Sequence, residues 1–346
     1  MSRRERIVVQ QSFPVPRPTT NPYIVMLRDS LAATPGVEVR TFGWRSALLG
    51  RYDVFHAHWP EILVTGHGPV KSLGRQALTG LLLLRLAATG TPVVRTLHNL
   101  HLPQGISRRE RALLRWFDRR TVLWIGLNPT TPFPAGSAHE TILHGDYREW
   151  FARFPHSDRE TGRVGYFGLI RRYKGVEELI EVFAAVPGDG LRLAVAGRPS
   201  TEELAGSVRA LAARDPRVSV TLAFLEDAEI AELVGRSELI ALPYRDMHNS
   251  GGVLAALSLD RPVLVPGNET TEALAREVGE EWVLRYDRLT PEVLAAAIAR
   301  AAAFDPDDRP DLSARSWADA GRRHLDAYRR AIDLRRSGRS RGRAAG

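Results

Sequence analysis

The stretch that decides the fold is residues 165–183, which read GYFGLIRRYKGVEELIEVF. Its apolar start predicts a buried strand that stops at Gly168, and the apolar spacing after Gly175 predicts a helix with one buried face. A basic loop joins them and carries Arg171, Arg172 and Lys174. Because free backbone N–H groups, a helix dipole and fixed cations converge in such a turn, it suits an anion.

Lysine is scarce in this chain. Of the 48 Lys and Arg residues, only Lys71 and Lys174 are lysines. Since arginine is the habitual cation, a lysine at this turn favours a compact charge held against a phosphate. A solvated loop between a strand and a helix is the alternative interpretation.

Three further segments repeat the order of strand, loop and helix. The predicted strands are LRLAVAG at 191–197, ELIALPY at 238–244 and RPVLVP at 261–266. A series of this kind predicts a parallel sheet with helices between the strands. The loops after the strands would then gather at one edge of the sheet, which is where ligands bind in open α/β folds.

These motifs resemble a known clan. The series FGLIRRYKG, AVAGRPS, ALPYRDMHNSGG and RPVLVPGNE is similar to the donor half of GT-B glycosyltransferases of the broad family 4 type. First-half motifs extend the resemblance over almost the whole chain: QQSFPVPRPTTNPY, DVFHAHWPE, VVRTLHNL and ILHGDYREWF. Within the clan, HWPE, HNL and NSGG look most like bacterial exopolysaccharide transferases, including β-mannosyltransferases.

The resemblance implies an α/β fold of two doubly wound, Rossmann-like parallel-sheet domains that face each other across a cleft. We expect an acceptor-binding domain over 1–150 and a donor-binding domain over 151–312. A helix over 313–336 would cross back to the first domain, and a disordered basic tail would follow over 337–346. At 346 residues the chain suits two such domains better than one core.

The donor residues are assigned to the loops after the second-half strands. They are Arg171, Lys174, Gly197, Tyr244, Asn249, Ser250, Gly251, Gly252 and Glu269. Ser250 also fits an ordinary helix N-cap. Two departures stand out, because the family's Glu-x7-Glu pair is replaced by Met247 and Ala255 and its usual arginine by Leu169. These departures put retaining chemistry in doubt more than glycosyl transfer itself.

Inverting transfer needs a base for the acceptor hydroxyl. The candidates are His58, Glu61 and His98, which follow predicted strands of the first half. His98 could instead hold a loop or touch the donor phosphate, and one of His56 and His58 should be structural because they alternate on a strand. Acceptor or cleft contacts are assigned to Asn21, Tyr23, His144 and Tyr147, with helix capping and interdomain packing as the plainer accounts.

Composition restricts location and partners. The chain has no cysteine, and we see no metal-ligand cluster. The resemblance implies a metal-independent enzyme without a cofactor, and the subfamily resemblance alone gives its donor substrate as GDP-mannose, with a UDP-sugar as the alternative. Of the net charge of +8, the segment 322–346 carries nine arginines against two aspartates, so no spread basic face for nucleic acid remains. The start lacks the pattern of a signal peptide, which favours a cytoplasmic protein, free or peripheral at the inner face of the membrane.

Two basic amphipathic stretches bear on the membrane. For the stretch over 70–90 we favour a core-facing helix with an exposed basic face. For the stretch over 107–120, six arginines among Leu113, Leu114, Trp116 and Phe117 indicate contact with anionic lipid as readily as a core-facing helix.

The residues and the resemblance together thus predict an inverting transferase that moves a hexose, mannose as first guess, from a nucleotide-diphosphate sugar to a glycan or polyprenyl-linked acceptor in cell-surface polysaccharide synthesis. A non-catalytic GT-B-like sugar-nucleotide or glycan binding protein and a retaining family 4 transferase stay open as alternatives. A nicotinamide dehydrogenase is excluded, because QQSFPVP stands where a Gly-x-Gly-x-x-Gly would follow the first strand.

Overall fold

The computed structural model describes residues 6–66, 68–102, 105–155, 157–245, 247–305 and 307–344. The chain divides into two compact units. The first falls within Met1–Gly145 and Arg315–Gly346, and the second is Asp146–Ala314. Among the described residues, no helix combines the length and the hydropathy needed to cross a bilayer.

The first unit is built on a six-stranded parallel sheet. Its strands are β1 Ile7–Gln11, β2 Val37–Arg40, β3 Val54–Ala57, β4 Val93–Leu97, β5 Thr121–Gly126 and β6 His139–Thr141. They pair in the order β2-β1-β3-β4-β5-β6. The helices of this unit are α1 Pro22–Ala33, α2 Trp44–Leu49, α3 Glu61–Val64, α4 Pro69–Thr89, α5 Arg108–Arg120 and α13 Trp317–Ala344.

Both faces of this sheet are covered. Val54 and Phe55 are neighbours on β3, yet Val54 packs in one apolar cluster and Phe55 in another, because successive side chains of a strand point to opposite faces. The Val54 cluster includes Leu27 of α1 and Tyr328 of α13. The Phe55 cluster contains residues of α2, α4 and α5. The near-continuous apolar strands follow from this double burial.

The C-terminal helix α13 packs along α1. At Gly321 a Cβ atom would lie 2.3 Å from Thr34 Oγ1, so the contact requires a residue without a side chain. The sequence predicts that this helix ends at 336 and that a disordered tail follows, whereas the helix continues to Ala344. Residues 337–344 read SGRSRGRA, in which arginine and alanine favour helix against two glycines, so a composition that indicates a disordered tail also permits helix.

The second unit repeats the same design with a second six-stranded parallel sheet. Its strands are β7 Arg163–Phe167, β8 Arg192–Ala196, β9 Val218–Thr221, β10 Leu239–Ala241, β11 Val263–Pro266 and β12 Val283–Tyr286, in the order β12-β11-β10-β7-β8-β9. The helices are α6 Arg148–Phe151, α7 Val176–Ala184, α8 Glu202–Ala212, α9 Asp227–Arg236, α10 Gly251–Ser258, α11 Glu269–Val278 and α12 Pro291–Ala302. The two sheets confirm the predicted α/β class.

The boundary between the units lies five residues before the predicted one at 150, after Gly145. The Tyr147 N–H donates to Ser258 Oγ at 2.8 Å, and Arg148 pairs with Asp260 at 2.7 Å. These bonds attach the start of α6 to the second unit. The short helices α2, α3 and α6 escape sequence prediction because four to six residues show too little periodicity.

In each sheet the strand order reverses at one place. The reversal falls between β1 and β3 in the first unit and between β7 and β10 in the second. Ligands of doubly wound sheets bind beyond the carboxyl ends of the strands at this point. The loops that follow these four strands are therefore where each unit should carry its functional groups.

Candidate active site

In the second unit, Lys174 stands at the point where the strand order reverses. It belongs to a 3-10 turn, Arg172–Lys174, between β7 and α7, and Gly175 closes the turn with φ +66°. Its Nζ donates to the Tyr244 hydroxyl at 3.2 Å and lies 4.4 Å from the centroid of the Tyr244 ring. Tyr244 follows β10, so this contact joins the loops of the two strands that flank the reversal.

The same tyrosine leads to the start of α10. The side chains of Tyr244 and Ser250 are hydrogen-bonded. Ser250 caps α10, because its Oγ accepts the Val253 N–H at 3.3 Å. The capping interpretation of Ser250 is therefore confirmed, and the start of α10 lies close to Tyr244, whose hydroxyl oxygen would be 3.6 Å from a Cβ at Gly252.

The charged form of the Lys174 side chain is destabilised by its surroundings. Burial, and next the positive charge of Arg171, lower the pKa of Lys174 to about 8. Arg172 turns away to Glu203, with 2.6 Å between Nη2 and Oε1. Of the two arginines of this turn, Arg171 is thus the one that adds to the positive potential at Lys174.

Backbone packing requires glycine at some positions of the second unit but not at others. A Cβ at Gly197 would lie 1.7 Å from the Gly168 carbonyl oxygen, and a Cβ at Gly175 would lie 2.3 Å from that of Pro243. Backbone packing therefore explains these two glycines. At Gly251 and Gly252 a Cβ would meet no described atom closer than 3.4 Å, so packing does not demand glycine there.

The remaining predicted donor residues lie in neighbouring loops. Asn249 is half-buried beside Ser250, and Glu269 is exposed at the first position of α11. The two loops are joined, because Asn268 Nδ2 donates to the Met247 carbonyl at 2.9 Å. Met247 and Ala255, at the positions of the family's glutamate pair, are buried apolar side chains.

The first unit holds a cavity of about 310 Å³ at the ends of β3, β4 and β5. Its walls combine aromatic and charged side chains, among them Trp59, Glu61, Arg95, His98, Trp124 and Phe133. Arg95 forms an ion pair with Asp118 and lies 5.2 Å from the Trp124 ring centroid. The three proposed bases His58, Glu61 and His98 all line this cavity.

Glu61 begins α3 beside the cavity and is hydrogen-bonded to the Asn99 side chain. Burial is the largest influence on its carboxyl group and raises the pKa of Glu61 above its ordinary value, against the lowering effect of its hydrogen bonds and of Arg95. A raised carboxyl pKa moves the group toward the range in which it can exchange protons near neutral pH.

His98 is held on three sides. Its Nε2 lies 3.2 Å from His58 Nδ1. Its ring stacks on Trp59 with 3.8 Å between the centroids, and the Tyr23 ring meets it edge-on at 5.2 Å. His58 in turn places its Nε2 3.1 Å from Gln11 Oε1. Both ring nitrogens of His58 are therefore engaged inside the protein.

The other predicted acceptor residues separate between the units. Asn21 caps α1, with its Oδ1 accepting the Tyr23 N–H at 3.0 Å, as the plainer account expects. His144 lies in the first unit, 4.6 Å from Tyr23 between ring centroids. Tyr147 belongs to the second unit, where its hydroxyl would be 3.4 Å from a Cβ at Gly251. Tyr147 therefore lies beside Gly251, one of the predicted donor residues, and not beside the other predicted acceptor residues.

Sequence reasoning missed several neighbours of these groups: Gln11, Trp59, Arg95, Thr96, Trp124 and Tyr328. A polar Gln10-Gln11 pair at the end of a buried strand is the signal that could have been used, because buried polar side chains need hydrogen-bond partners. In the part of the chain that the structure describes, no group of three or more His, Cys, Asp or Glu side chains is arranged to hold a metal ion.

Five histidines of the first unit lie close together, at positions 56, 58, 98, 144 and 324; His98 is half-buried and the other four are buried. Burial is the first cause that lowers the pKa of each. It takes the pKa of His58 to about 3 and those of His144 and His324 to about 4. The cluster is therefore neutral at pH 7.

Comparison with known proteins agrees with this architecture. HepE of Anabaena, solved with UDP and glucose, superposes with a TM-score of 0.57 at 16% identity, over 98% of this chain and all of that one. Sucrose-phosphate synthase of Thermosynechococcus elongatus gives a TM-score of 0.57 at 15% identity with the same coverage. The fold is that of the GT-B glycosyltransferases.

A curated relative gives the family. The chain is 44% identical over 328 residues to the GDP-mannose:glycolipid 4-β-D-mannosyltransferase of Xanthomonas campestris pv. campestris. The match covers 94% of this chain and 93% of that enzyme. No protein-family model matches the sequence. The chain belongs to the same glycosyltransferase family as the Xanthomonas enzyme.

The neutral histidine cluster predicts loss of stability in mild acid. Below about pH 6.5 the unfolded chain takes up protons that the native cluster does not, so the free energy of unfolding falls as the pH falls toward 4. Each such histidine contributes at most about 1.4 kcal/mol per pH unit. Urea unfolding followed between pH 7 and 5 measures the slope.

The variant His324→Leu removes one histidine of the cluster. The slope of the unfolding free energy against pH should then decrease by the contribution of up to one proton, at most about 1.4 kcal/mol per pH unit. An unfolding free energy that stays level from pH 6.5 to 5 would contradict the neutral cluster.

Proposed function

We propose that this chain transfers mannose from GDP-mannose to a lipid-linked glycan in cell-surface polysaccharide synthesis, and that it inverts the anomeric carbon. The observation that carries the proposal is the 44% identity, over 94% of the chain, to an enzyme whose name specifies GDP-mannose, a glycolipid and a β linkage. The sugar of GDP-mannose is α-linked to the diphosphate. A β-mannoside therefore requires inversion at that carbon.

The donor diphosphate would bind between Lys174 and the start of α10. Lys174 supplies a compact positive charge, and Arg171 adds to the potential there. Gly251 and Gly252 support the assignment, because protein packing leaves room for a side chain at both positions. A phosphate that approaches the first amides of α10 gives a physical reason for two consecutive glycines.

The first prediction for this function concerns Lys174. Changing Lys174 to Ala removes a charge-assisted contact, on the order of 1.5–3 kcal/mol, so GDP affinity should fall roughly 10- to 100-fold. In the parent protein, affinity should also decline as pH rises through about 8, because Lys174 then loses its charge. Titration calorimetry with GDP and UDP over pH 6.5–9 measures both effects.

The matched control is Lys71→Ala, which removes the chain's other lysine from the exposed side of α4. GDP affinity that is equal in the Lys174 variant, the Lys71 variant and the parent would rule out the Lys174 assignment.

The acceptor glycan would enter the cavity of the first unit. A volume of about 310 Å³ is at the lower end of small-molecule sites. The aromatic faces of Trp59, Trp124 and Phe133 suit the apolar faces of a sugar ring, while Arg95 and Glu61 suit its hydroxyl groups. The same wall presents His98 and Glu61, the two candidate bases that remain because both ring nitrogens of His58 are engaged inside the protein.

In the proposed reaction, an acceptor hydroxyl oxygen bonds to the anomeric carbon of mannose. Its proton passes to His98 or Glu61, and GDP leaves with the electron pair of the broken bond. The positive charge at Lys174 would stabilise the negative charge that develops on the diphosphate. No step requires an oxidant, a reductant or a further co-reactant.

The second prediction concerns inversion and its base. Loss of the base should lower kcat by about 10²–10⁴-fold in His98→Ala or Glu61→Gln, while GDP affinity stays near that of the parent. The matched control Glu181→Gln changes an exposed carboxylate on α7 and should keep full turnover. One-bond carbon–proton coupling at the anomeric position identifies the configuration of the product.

An α-mannoside product would show retention and defeat this proposal. Full turnover in both variants would remove His98 and Glu61 from the role of base.

An anionic membrane is the proposed site of action, because the acceptor is lipid-linked. The surface of α4 differs from its sequence prediction: Val70, Leu73, Leu81 and Leu84 are 83%, 55%, 54% and 56% exposed. With Gly74, Ala77 and Ala88 they form an exposed apolar stripe at helical spacing. The expected basic face is reduced to the exposed Lys71, because Arg75 donates to the Ile62 and Thr65 carbonyls and Arg85 to that of Gly50.

The neighbouring helix α5 supplies the charge. Leu114 and Phe117 are buried and Leu113 and Trp116 pack against the core, so the apolar side of α5 is not available to lipid. Five arginines of α5 are exposed: Arg108, Arg109, Arg111, Arg115 and Arg119. An exposed apolar stripe on α4 beside a cationic α5 has the chemistry of an interfacial surface on anionic lipid.

The third prediction separates the two contributions. Replacing Arg111 and Arg115 by Ala should weaken binding to anionic vesicles about tenfold or more and reduce its salt dependence, since each basic residue contributes about 1 kcal/mol. Replacing Leu81 and Leu84 by Ser should weaken binding to anionic and neutral vesicles alike. Vesicle flotation of the full chain at two salt concentrations measures both.

The matched controls are Arg209→Ala and Phe224→Ser, which change exposed residues of the second unit. Equal flotation of all variants, or no response to salt in the parent, would refute this surface.

A further inference from the structure

A continuous line of hydrogen bonds ends at His98. It crosses the core of the first unit through six side chains, which we call the polar chain: Thr96, His56, Tyr328, Gln11, His58 and His98. The successive heavy-atom distances, in that order, are 2.9, 2.8, 3.4, 3.1 and 3.2 Å. The first five members are buried, and His98 lines the cavity.

Gln11 gives the polar chain its direction. Its Oε1 can only accept and its Nε2 can only donate. The Gln11 Oε1 faces His58 Nε2, so His58 must donate from that nitrogen. A neutral imidazole carries one proton, and His58 Nδ1 is therefore an acceptor. It accepts from the Nε2–H of His98.

The other half of the polar chain agrees with this direction. Gln11 Nε2 donates to the Tyr328 oxygen. The Tyr328 hydroxyl is then directed to His56 Nδ1, and His56 donates from Nε2 to Thr96 Oγ1. His56 and His58 thus each donate one hydrogen bond and accept another, as a neutral ring can. The opposite direction would require the Gln11 amide to be reversed.

We propose that the polar chain holds His98 in its Nε2–H tautomer, so that Nδ1 carries the lone pair and takes the acceptor's proton at the cavity. This inference rests on the proposed inverting transfer, and among the two candidate bases it selects His98. His58, Gln11 and Tyr328 are positioning residues, because they act through His98.

The proton step is local. As the acceptor oxygen bonds to the anomeric carbon, its proton moves to His98 Nδ1 and the ring becomes an imidazolium with both nitrogens protonated. Gln11 has no ionisable proton, so the polar chain orients His98 without conducting the proton inward. The imidazolium must return its proton through the cavity.

The inference also gives α13 a part in the site. Tyr328 lies 317 residues after Gln11 in the sequence, and its hydroxyl contacts both Gln11 and His56. Docking of the C-terminal helix therefore completes the polar chain. Without Tyr328, His56 Nδ1 would lose its donor and Gln11 Nε2 its acceptor.

Nitrogen-15 NMR of histidine-labelled full-length protein tests the tautomer directly, with the His98 signals assigned from the spectrum of His98→Gln. We expect a protonated Nε2 and an unprotonated Nδ1 for His98 at pH 7.5. A His98 ring protonated at Nδ1, or an equal mixture of the two tautomers, would overturn the proposal. Because this readout does not depend on turnover, it stands apart from the test of inversion.

Two adjacent buried glutamines provide matched variants. Gln11→Met removes the directional amide, so we expect mixed His98 tautomers and a fall in kcat of roughly tenfold to hundredfold, with GDP affinity unchanged. Gln10→Met removes an equally buried amide whose Nε2 donates only to the carbonyls of Gln11, Arg40 and Thr41. It should keep the parent tautomer and kcat.

Tyr328→Phe tests the far end of the polar chain with little change of shape. It should shift His98 toward mixed tautomers and lower kcat in the same sense as Gln11→Met. If Gln11→Met and Tyr328→Phe both keep the parent tautomer of His98, the polar chain does not set it. If the parent protein shows the expected tautomer but His98→Ala keeps full turnover, His98 is not the base.

Discussion

Parallel pairing of every strand is the constraint on which both units depend. A parallel strand cannot return by a tight hairpin, so each is followed by a crossover, and all loops that leave strand ends collect at one edge of the sheet. In the second unit this brings Lys174, after β7, to Tyr244, after β10. In the first it brings His58, after β3, to His98, after β4. Residues distant in sequence become neighbours because of this one requirement.

The two sheet edges differ in their electrostatics. The second unit keeps a lysine and an arginine together beside the start of a helix, an arrangement that is stable when an anion shares it. The first unit instead buries its histidines as neutral rings. A neutral imidazole is far cheaper to bury than an imidazolium, and the fully buried rings of His56 and His58 each have a donor and an acceptor partner. This division matches a donor that carries a diphosphate and an acceptor that must lose a proton.

The sequence was sufficient to predict the fold and the local structure of two loops in the second unit. Strand, loop and helix signals are local, so the turn at Lys174 and the cap at Ser250 could be read from short stretches. The polar chain could not, because Gln11, His58, His98 and Tyr328 meet only through tertiary packing. The exposed face of α4 was predicted wrongly for a similar reason. Its arginines bind backbone carbonyls of other segments, which no helical periodicity reveals.

The central claim of this account is that the nucleotide belongs to the second unit and the acceptor to the first. Hydrogen exchange of the full chain with saturating GDP, followed by mass spectrometry, tests it most directly. The account predicts protection of the amides over 168–175 and 248–254, and no comparable change over 54–64 and 93–102. Protection by GDP that is centred on the loops after β3 and β4, and absent from those after β7 and β10, would contradict it.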